Sequence, residues 1–378
     1  MSNDLFYRVS VTAGSAQYDL SNDLSSLTLE EDNTRPDQLT VVMNDPYKVL
    51  SHAIQEGMEI EVDLGTTEDH SVIFRGRIYR TEGDFPQDGV PTHKITAYDK
   101  SMLLGLRQRN RRWTDKKLSE IIEEIAREHF NSDVEVDLLG DPQFTGNGIR
   151  QQDETDLAFL YRLGTAYGFE VFVVTDEDTD TLHCTAQYQI MTSEPEMTLY
   201  HGRCDVPNHL TRFQASSNVS DIQLPRVFSG IEFETGELAE VTTAEVGEVG
   251  ELEDQFLDEN LTEFRQRDAQ RAEHLASLLD AAPTIQQELR KDLGEVEREP
   301  TLGFTTQEEL EERAKNQFST SIHGMRGNGA TPGNQRIHAQ ASIGIADVGG
   351  RFSGTWYLSQ VRHTLDRMGY QVEITCQR

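Results

Sequence analysis

The sequence has few cysteines and few lysines, and it contains no long apolar run. Its 3 cysteines, Cys184, Cys204 and Cys376, are too few and too widely spaced for a disulfide framework. No apolar stretch approaches the roughly 18 residues of a membrane-spanning helix. The first residues, MSNDLFYRVSV, lack the basic and apolar regions of a signal peptide. These absences predict a soluble protein that is made in the cytoplasm.

Basic residues are scarce relative to acidic ones. The 378 residues include 34 Lys and Arg and 66 Asp and Glu, which gives a formal net charge of -32 at pH 7. Such a charge opposes stable binding to nucleic acid and to anionic membranes. Only 7 of the basic residues are lysines, and the acidic residues are dispersed along the chain. We therefore hypothesise a surface adapted to high salt, where screening removes self-repulsion; the alternative is an ordinary acidic protein.

The common catalytic motifs are missing. There is no HExxH, GxSxG or GxxxxGK[ST] sequence. The glycine-rich segment HGMRGNGATPGN, residues 323–334, lacks the lysine and hydroxyl of a phosphate loop, so we predict a flexible surface loop. Paired carboxylates of the glycosidase kind cannot be singled out among 66 acidic residues. The sequence therefore predicts no catalytic residue, no cofactor and no enzyme.

One group of residues has the chemistry of a zinc site. His183, Cys184, His201 and Cys204 are ligand types that zinc accepts. However, His183 and Cys184 are adjacent on a predicted strand, so their side chains point to opposite faces. We therefore expect no metal site from this group.

Residues 1–102 have the pattern of a β-rich unit. Six segments alternate apolar and polar residues or are rich in β-forming residues, and turn residues separate them. A short helix is predicted near residues 47–55. Six strands in this length suggest a barrel or a sandwich. The predicted strands cover residues 5–12, 27–31, 38–43, 59–64, 71–81 and 93–98.

Residues 103–202 combine helices and strands. Residues 115–130, DKKLSEIIEEIAREHF, predict an amphipathic helix with isoleucines on one face. A second helix follows, capped by Asp153 or Thr155 and ended by a left-handed Gly168. Residues 169–174 and the segment TLHCTAQYQI then predict two strands. The basic cluster RQRNRR, residues 107–112, is expected to pair with acidic groups of a neighbouring chain or of loops within the assembly; the alternative is phosphate binding.

Residues 203–378 return to strands around an acidic segment. Residues 245–300 are strongly acidic, and their helical spacing predicts two helices, separated at Pro283, or a mobile insertion. A further helix is predicted at residues 305–318. Strands are predicted at residues 210–215, 231–243, 335–344, 353–361 and 370–376.

Three stretches follow one another along the chain: the link DKSMLLGLRQRNRRWTDKKLSEIIEEIA, the central segment QQDETDLAFLYRLGTAYGFEVFV and the end GGRFSGTWYLSQVRHTLDRMGYQVEITCQR. In this order they resemble the phage late control protein D family, which includes the hub part of type VI spike proteins. In the central segment Gly164 stands where the family has alanine. The residues that match the central motif are Glu154, Asp156, Phe159, Leu160, Arg162, Leu163, Gly168 and Phe169. The residues that match the closing motif are Phe352, Ser353, Gly354, Tyr357, Val361, His363, Gly369 and Tyr370.

The resemblance implies an α+β fold. Two tail-tube-like β-barrels, residues 1–102 and 203–378, would flank a central α/β domain, residues 103–202, and the second barrel would carry the acidic helical insertion at 245–300. The matching residues would have structural roles, with no catalytic, cofactor-binding or metal-binding residue among them.

The resemblance also implies a function, that of the baseplate hub of a contractile phage tail or a phage-derived injection system. Such a hub is a homotrimer that joins the hexameric tail tube to the trimeric spike. Its expected partners are the tail tube or a tube-initiator protein, baseplate wedge proteins and a spike that is a separate chain, since this chain stops after the closing motif. Synthesis in the host cytoplasm and location in the baseplate follow from this. The alternatives are a tail-tip cell-wall hydrolase and a free-standing carbohydrate-binding β protein.

Overall fold

The computed structural model describes most of the chain. The described residues are 5–131, 133–146, 148–176, 179–203, 206, 208–217, 226–232, 238–242, isolated positions between 266 and 281, 297–298, 302–304 and 324–378. The predicted acidic insertion at 245–300 lies almost entirely outside the described residues. The helix predicted at 305–318 lies wholly outside them.

The first part of the chain folds as the alternation of its side chains predicts. In the segment QLTVVMN, for example, Leu39, Val41 and Met43 are fully buried while their neighbours are partly exposed. All six predicted strands are confirmed, and a further strand of 4 residues, AQYD, follows the first turn. The predicted helix is shorter than expected. The elements are β1 Leu5–Ala13, β2 Ala16–Asp19, β3 Leu24–Asp32, β4 Gln38–Asn44, α1 Leu50–Ala53, β5 Glu59–Thr66, β6 His70–Asp84 and β7 Thr92–Asp99.

The middle part contains the two predicted helices, the two predicted strands and five further short strands. Its elements are a 3-10 helix at Lys100–Gly105, β8 Gln108–Trp113, β9 Lys116–Lys117, α2 Leu118–Phe130, β10 Val134–Asp137, β11 Gln143–Phe144, β12 Ile149–Thr155, α3 Asp156–Tyr167, β13 Phe169–Thr175, β14 Asp180–Ala186 and α4 Gln187–Thr192. Helix α2 begins later than predicted because Lys116 and Lys117 pair with β11. The apolar faces of α2 and α3 share one buried cluster with the sheet β10-β14-β13.

The segment TLHCTAQYQI is only partly a strand. Strand β14 ends at Ala186, and the following residues form α4. The Gln187 amide donates to the Gly168 carbonyl at 3.0 Å, beyond the last pair of the β13–β14 ladder. Ile190 and Met191 of α4 then pack against Tyr357, so tertiary burial overrides the strand pattern there.

The last part returns to strands, but several of them depart from the sequence prediction. Its strands are β15 Thr198–His201, β16 His209–Leu210, β17 Arg212–Ser217, β18 Arg226–Glu232, β19 Leu238–Thr242, β20 Glu297–Arg298, β21 Leu302–Phe304, β22 Met325–Pro332, β23 Ala341–Ala346, β24 Gly354–Asp366 and β25 Gly369–Gln377. The strand predicted at 335–344 begins only at Ala341, after a loop. The strand predicted at 231–243 is wrong as one strand, because its described ends belong to β18 and β19, which pair antiparallel.

The prediction of a flexible loop at residues 323–334 was wrong. This segment contains strand β22, which lies between β17 and β25. Its glycines are needed for close packing, because a Cβ on Gly327 would lie 2.8 Å from the Cys376 sulfur and 2.9 Å from the Phe213 ring. The glycines therefore make room for neighbouring side chains, and they do not mark a turn.

One continuous sheet of 14 strands joins the first and last parts of the chain. Strand β24 makes this connection, since its first half pairs with β23 and its second half pairs with β3. Strand β25 lies along the other side of β24. Among the described residues, the three largest buried apolar clusters belong to the first, middle and last parts. The division into two barrels and three domains stays a prediction.

Candidate functional site

Helix α3 begins and ends as its sequence predicts. The Thr155 hydroxyl accepts a hydrogen bond from the Ala158 amide at 3.2 Å, so Thr155, not Asp153, is the N-cap. Gly168 ends the helix with φ 71° and ψ 38°, and its amide donates to the Gly164 carbonyl at 2.7 Å. Asp153 instead lies in an irregularity of the β8–β12 pair, where its side chain accepts a hydrogen bond from Asn110.

Asp156, the first residue of α3, is the buried acidic group of the central motif. Only 2% of its surface is exposed. It accepts a hydrogen bond from Gln151 Nε2 at 2.8 Å, and Arg111 Nη1 and Arg109 Nε lie 3.5 Å and 3.8 Å away. The carboxylate thereby fixes the start of α3 against both strands of the β8–β12 pair.

The arginines of the basic cluster are used inside the chain. Arg109 and Arg111 both bind the carboxylate of Glu128 on α2, at 3.0 Å and 2.7 Å. Glu154, which also belongs to the central motif, binds Arg162 through two hydrogen bonds of 2.6 Å and 3.2 Å. The described ion pairs therefore join β8, α2 and α3 into one unit, and Arg109 and Arg111 contact carboxylates of their own chain, where a neighbouring chain or nearby loops were expected.

The apolar residues of the central motif form the core of the middle part. They are buried and belong to the same apolar cluster; these residues are Phe159, Leu160, Leu163 and Phe169. Phe159 stacks on Trp113 of β8 with 5.0 Å between ring centroids. The motif is thus a packing unit that holds α3 between β8 and β13.

Gly164 stands at the closest approach of α3 to β13. A Cβ at this position would lie 2.4 Å from the Phe169 carbonyl oxygen, a backbone atom that cannot move freely. We expect Gly164→Ala to lower the free energy of unfolding by about 2–3 kcal/mol through overpacking. Urea unfolding at fixed salt measures this. Gly105→Ala is the matched control, because its Cβ would meet its nearest side chain at an ordinary 3.7 Å; equal losses in the two variants would contradict the steric account.

The closing motif forms the β24–β25 hairpin and the turn before it. Phe352 packs at the edge of the last apolar cluster, and its carbonyl accepts a hydrogen bond from Trp356 Nε1 at 3.0 Å. Gly354 has φ 148°, and a Cβ there would lie 2.5 Å from the Arg378 guanidinium. Gly369 has φ 114° in the hairpin turn. These residues shape the strand that joins the two β-rich parts.

Four polar residues from all three parts of the chain meet at one point, which we call the junction cluster: Asn33, Glu170, Gln187 and Tyr357. Glu170 Oε1 accepts hydrogen bonds from Asn33 Nδ2 at 3.3 Å and from Gln187 Nε2 at 3.0 Å, and its Oε2 accepts one from the Tyr357 hydroxyl. Burial raises the pKa of Glu170 to about 7, although these three donors act in the opposite direction. The junction cluster therefore ties the start of β13 to the first part and to β24.

The raised pKa of Glu170 predicts a pH-dependent stability. A carboxyl group whose folded-state pKa is raised contributes stability that is fully present below its ordinary pKa near 4.5 and is lost as pH rises through about 7. Between pH 5 and pH 8, the free energy of unfolding of Glu170→Gln should therefore fall by about 2–3 kcal/mol less than that of the wild type. Urea unfolding at the two pH values measures it, with Glu123→Gln on the exposed face of α2 as the control. An unchanged pH dependence in Glu170→Gln would contradict the assignment.

A second group of polar residues, which we call the seam cluster, lies where β3 meets β24: Glu31, His338, His363 and Tyr370. Glu31 Oε1 lies 3.0 Å from His338 Nδ1 and 3.7 Å from His363 Nε2. His363 Nδ1 lies 2.7 Å from the Tyr370 hydroxyl. The Ala339 amide donates to Glu31 Oε2 at 2.8 Å. Glu31 and His363 are buried, and His338 comes from the loop before β23.

The charges in the seam cluster follow from burial and from each other. Burial raises the pKa of Glu31, but the two imidazoles and the Ala339 amide outweigh it, so the pKa of Glu31 lies below its usual value. Burial lowers the pKa of His338, and Glu31 more than reverses this, so the pKa of His338 is raised. Burial lowers the pKa of His363 to about 4 despite the nearby Glu31. Near neutral pH, Glu31 is therefore a carboxylate and His363 a neutral imidazole.

The four residues considered as zinc ligands do not form a common site in the described part of the chain. His183 stacks on Phe172 with 5.4 Å between centroids, whereas Cys184 is fully buried in the middle apolar cluster. His201 is exposed at the end of β15, and Cys204 lies outside the described residues. Burial also raises the pKa of the Cys184 thiol. The two adjacent residues of β14 therefore serve opposite faces, as their spacing predicts.

The model of the phage tail baseplate hub family matches residues 38–366, a range that includes the central motif and six of the eight residues that match the closing motif. The chain belongs to this family. The finding confirms the resemblance seen in the sequence, and a hub protein of this family is a structural component of the baseplate. No curated protein sequence matches the chain.

Solved structures share the fold of the hub protein over nearly its whole length. A tail protein from Neisseria meningitidis MC58 is 14% identical with a TM-score of 0.61, covering 98% of this chain and 96% of that one. The 43 kDa tail protein of prophage MuSo2 from Shewanella oneidensis has the same identity and TM-score, covering 99% and 98%. The E. coli c3393 protein, a component of the type VI secretion system, is 12% identical with a TM-score of 0.54, covering 94% and 73%. At these identities the likeness shows the fold.

Sequence reasoning missed the partners that the motif residues of the hub protein meet. Tyr357, His363 and Tyr370 were identified, but Glu31, Glu170 and His338 were not. Two of these had a signal, because Glu31 continues the buried face of Leu27 and Leu29 on β3, and Glu170 interrupts the apolar strand FEVFVV.

In the described residues, no helix is long and apolar enough to cross a membrane.

Proposed function

We propose that the hub protein acts as a trimeric adapter between the hexameric tail tube and the trimeric spike of a contractile tail or injection system. The observation that carries this proposal is the 14-stranded sheet, in which the first and last parts of the chain each contribute strands around their own apolar cluster. Each chain thus offers two β-rich surfaces, so three chains offer six, the number that a hexameric tube requires.

The packing inside the chain supports a mechanical role. The junction cluster and the seam cluster join β3, β13 and β24 through polar contacts, so the parts move together when force is applied along the tail. Tube and spike are the two neighbours that such a rigid ring would contact, and baseplate wedge proteins would surround it. The net charge of -32 favours sliding over binding if nucleic acid passes the ring.

A hydrolase of the tail tip is the main alternative, and the perturbed carboxyl groups provide no support for it. Glu170 is surrounded by three donors of its own chain. Burial and the neighbouring Asp99 raise the pKa of Asp37 well above its usual value. The Asp99 carboxylate, however, accepts hydrogen bonds from two backbone amides, that of Asp37 and that of Ser101 in the 3-10 helix after β7. Each of these carboxyl groups is thus held by groups of its own chain. Turnover of purified cell-wall polymer by the protein would favour the hydrolase.

The oligomeric state tests the adapter directly in solution. Light scattering on the purified full chain should give a mass three times the 42.8 kDa of one chain. Mixing with the tail tube protein should then give a complex with two tube subunits per hub chain. A monomer that does not bind the tube protein over a range of salt concentrations would contradict the adapter, and glycan binding by that monomer would favour the carbohydrate-binding alternative.

We further propose that the acidic surface is adapted to high salt. Exposed acidic residues repel one another, and salt at molar concentration shortens the screening length to about 3 Å. We expect the free energy of unfolding to rise with potassium chloride between 0.1 M and 2 M, since the repulsion is screened. Equal stability at both concentrations would identify an ordinary acidic protein.

A further inference from the structure

The seam cluster places two imidazoles and one carboxylate around a common point. One ligand atom from each of Glu31, His338 and His363 lies within 4.8 Å of the other two. We propose that these three residues form a binding site for one zinc ion. The site joins strand β3 of the first part to β24 and to the loop before β23 in the last part. It does not depend on the trimeric adapter role.

The distances suit a tetrahedral ion. Zinc bonds to imidazole nitrogen and carboxylate oxygen are about 2.0–2.2 Å long, so neighbouring ligand atoms of a tetrahedral site lie about 3.3 Å apart. His338 Nδ1 and His363 Nε2 lie 3.0 Å and 3.7 Å from Glu31 Oε1, on either side of that value. Small changes of the side-chain torsions would bring both nitrogens to bonding distance from a common centre.

The second observation is an unpartnered nitrogen. His363 is 0% exposed, and its Nε2 atom has no hydrogen-bond partner in the part of the chain that the structure describes. A buried polar atom of this kind is costly, and native proteins usually satisfy it with a protein group, water or an ion. The atom lies on the side of the ring that faces the Glu31 carboxylate. A cation between the two groups would satisfy both.

The surrounding groups orient the ligands as a metal site requires. The Tyr370 hydroxyl oxygen lies 2.7 Å from His363 Nδ1, so it can accept the Nδ1 hydrogen and leave the Nε2 lone pair free for the ion. The Ala339 amide binds Glu31 Oε2 at 2.8 Å, which leaves Oε1 facing the two imidazoles. In both His363 and Glu31, the polar atom that would not bind the ion is thus held by a hydrogen bond to a neighbouring group.

Exposure and donor type select the ion. The His338 side chain is 43% exposed, so an ion can reach the site from solvent, and a water molecule can complete the tetrahedron. Two nitrogens and one oxygen suit zinc, whereas calcium and magnesium prefer oxygen ligands alone. The loop that carries His338 is also fixed to the first part by Arg336, which binds Asp69 at 2.9 Å. The ion would therefore act as a cross-link between strands that are distant in sequence.

Zinc titration of the full chain, without a histidine tag and after treatment with a chelator, tests the site. We expect one equivalent of zinc by calorimetry and by elemental analysis, a higher melting temperature, and an absorption band of tetrahedral cobalt when cobalt replaces zinc. His338→Asn and His363→Asn should each lose this equivalent. Tyr370→Phe should keep it with an affinity about 10–100-fold weaker, because its hydroxyl orients a ligand.

His201→Asn is the matched control, since His201 is an exposed histidine outside the cluster. It should bind zinc as the wild type does. If His363→Asn does not fold, the half-exposed His338→Asn decides the question. Absence of zinc binding by the wild type, or an equivalent that persists in His338→Asn, would overturn the proposal, as would displacement of the ion by equimolar magnesium or calcium.

Discussion

Replacing Asp156 with alanine should lower the free energy of unfolding by about 3–4 kcal/mol. The carboxylate is buried at the start of α3, and its loss leaves Gln151 Nε2 without one acceptor. Arg109 and Arg111 each lose one carboxylate neighbour and keep Glu128. Removing one member of a buried polar network lowers stability by more than the network as a whole contributes, because the remaining partners stay desolvated. Urea unfolding of the purified chain at fixed salt measures the loss.

Two further variants separate this effect from a general loss of negative charge. Glu123→Ala removes a carboxylate that pairs with Arg127 on the exposed face of α2, at 3.4 Å, and should cost less than about 1 kcal/mol. Asp156→Asn keeps an acceptor for Gln151 and should lie between the two alanine variants. If Asp156→Ala were no more harmful than Glu123→Ala, the central motif would not have the structural role that we assign to it.

Replacing Trp356 with alanine should cost about 3–5 kcal/mol. This residue of β24 is fully buried, its ring meets Phe213 of β17 edge to face, and its Nε1 atom donates to the Phe352 carbonyl. The truncation would leave a large cavity beside the strand that joins the two β-rich parts. We therefore expect a fall in melting temperature together with loss of the assembled oligomer.

Variants of different size test whether the cavity is the cause. Trp356→Phe keeps the contact with Phe213 and loses one hydrogen bond and part of the volume, so it should cost only about 1–2 kcal/mol. Met368→Ala, at a side chain that is 86% exposed in the hairpin turn, should be close to neutral. A Trp356→Ala variant with wild-type stability would show that β24 does not depend on this packing.

Features determined by neighbouring residues could be predicted from the sequence. The cap at Thr155 and the left-handed Gly168 lie on either side of a single apolar stripe, and all of these signals are local. The six strands of the first part could be predicted because a strand with one buried face alternates apolar and polar residues. Leu39 and Val41, for example, are buried on either side of the partly exposed Thr40.

Features determined by distant residues could not be predicted in this way. The glycines of β22 are required by Phe213 and Cys376, which lie far away in the sequence. Glu31 and His338 are 307 positions apart, and they meet because β24 pairs both with β3 and with β23, the strand that follows the loop of His338. The two motifs were recognised from their own residues, but the junction cluster that connects them depends on this tertiary pairing.

The most direct measurement is cryo-electron microscopy of the hub protein assembled with its tail tube protein. We expect a threefold ring at one end of a sixfold tube, coaxial with it, in which the two β-rich parts of each chain contact two adjacent tube subunits. A ring with another symmetry, or single hub chains bound to the side of the tube, would contradict the adapter role.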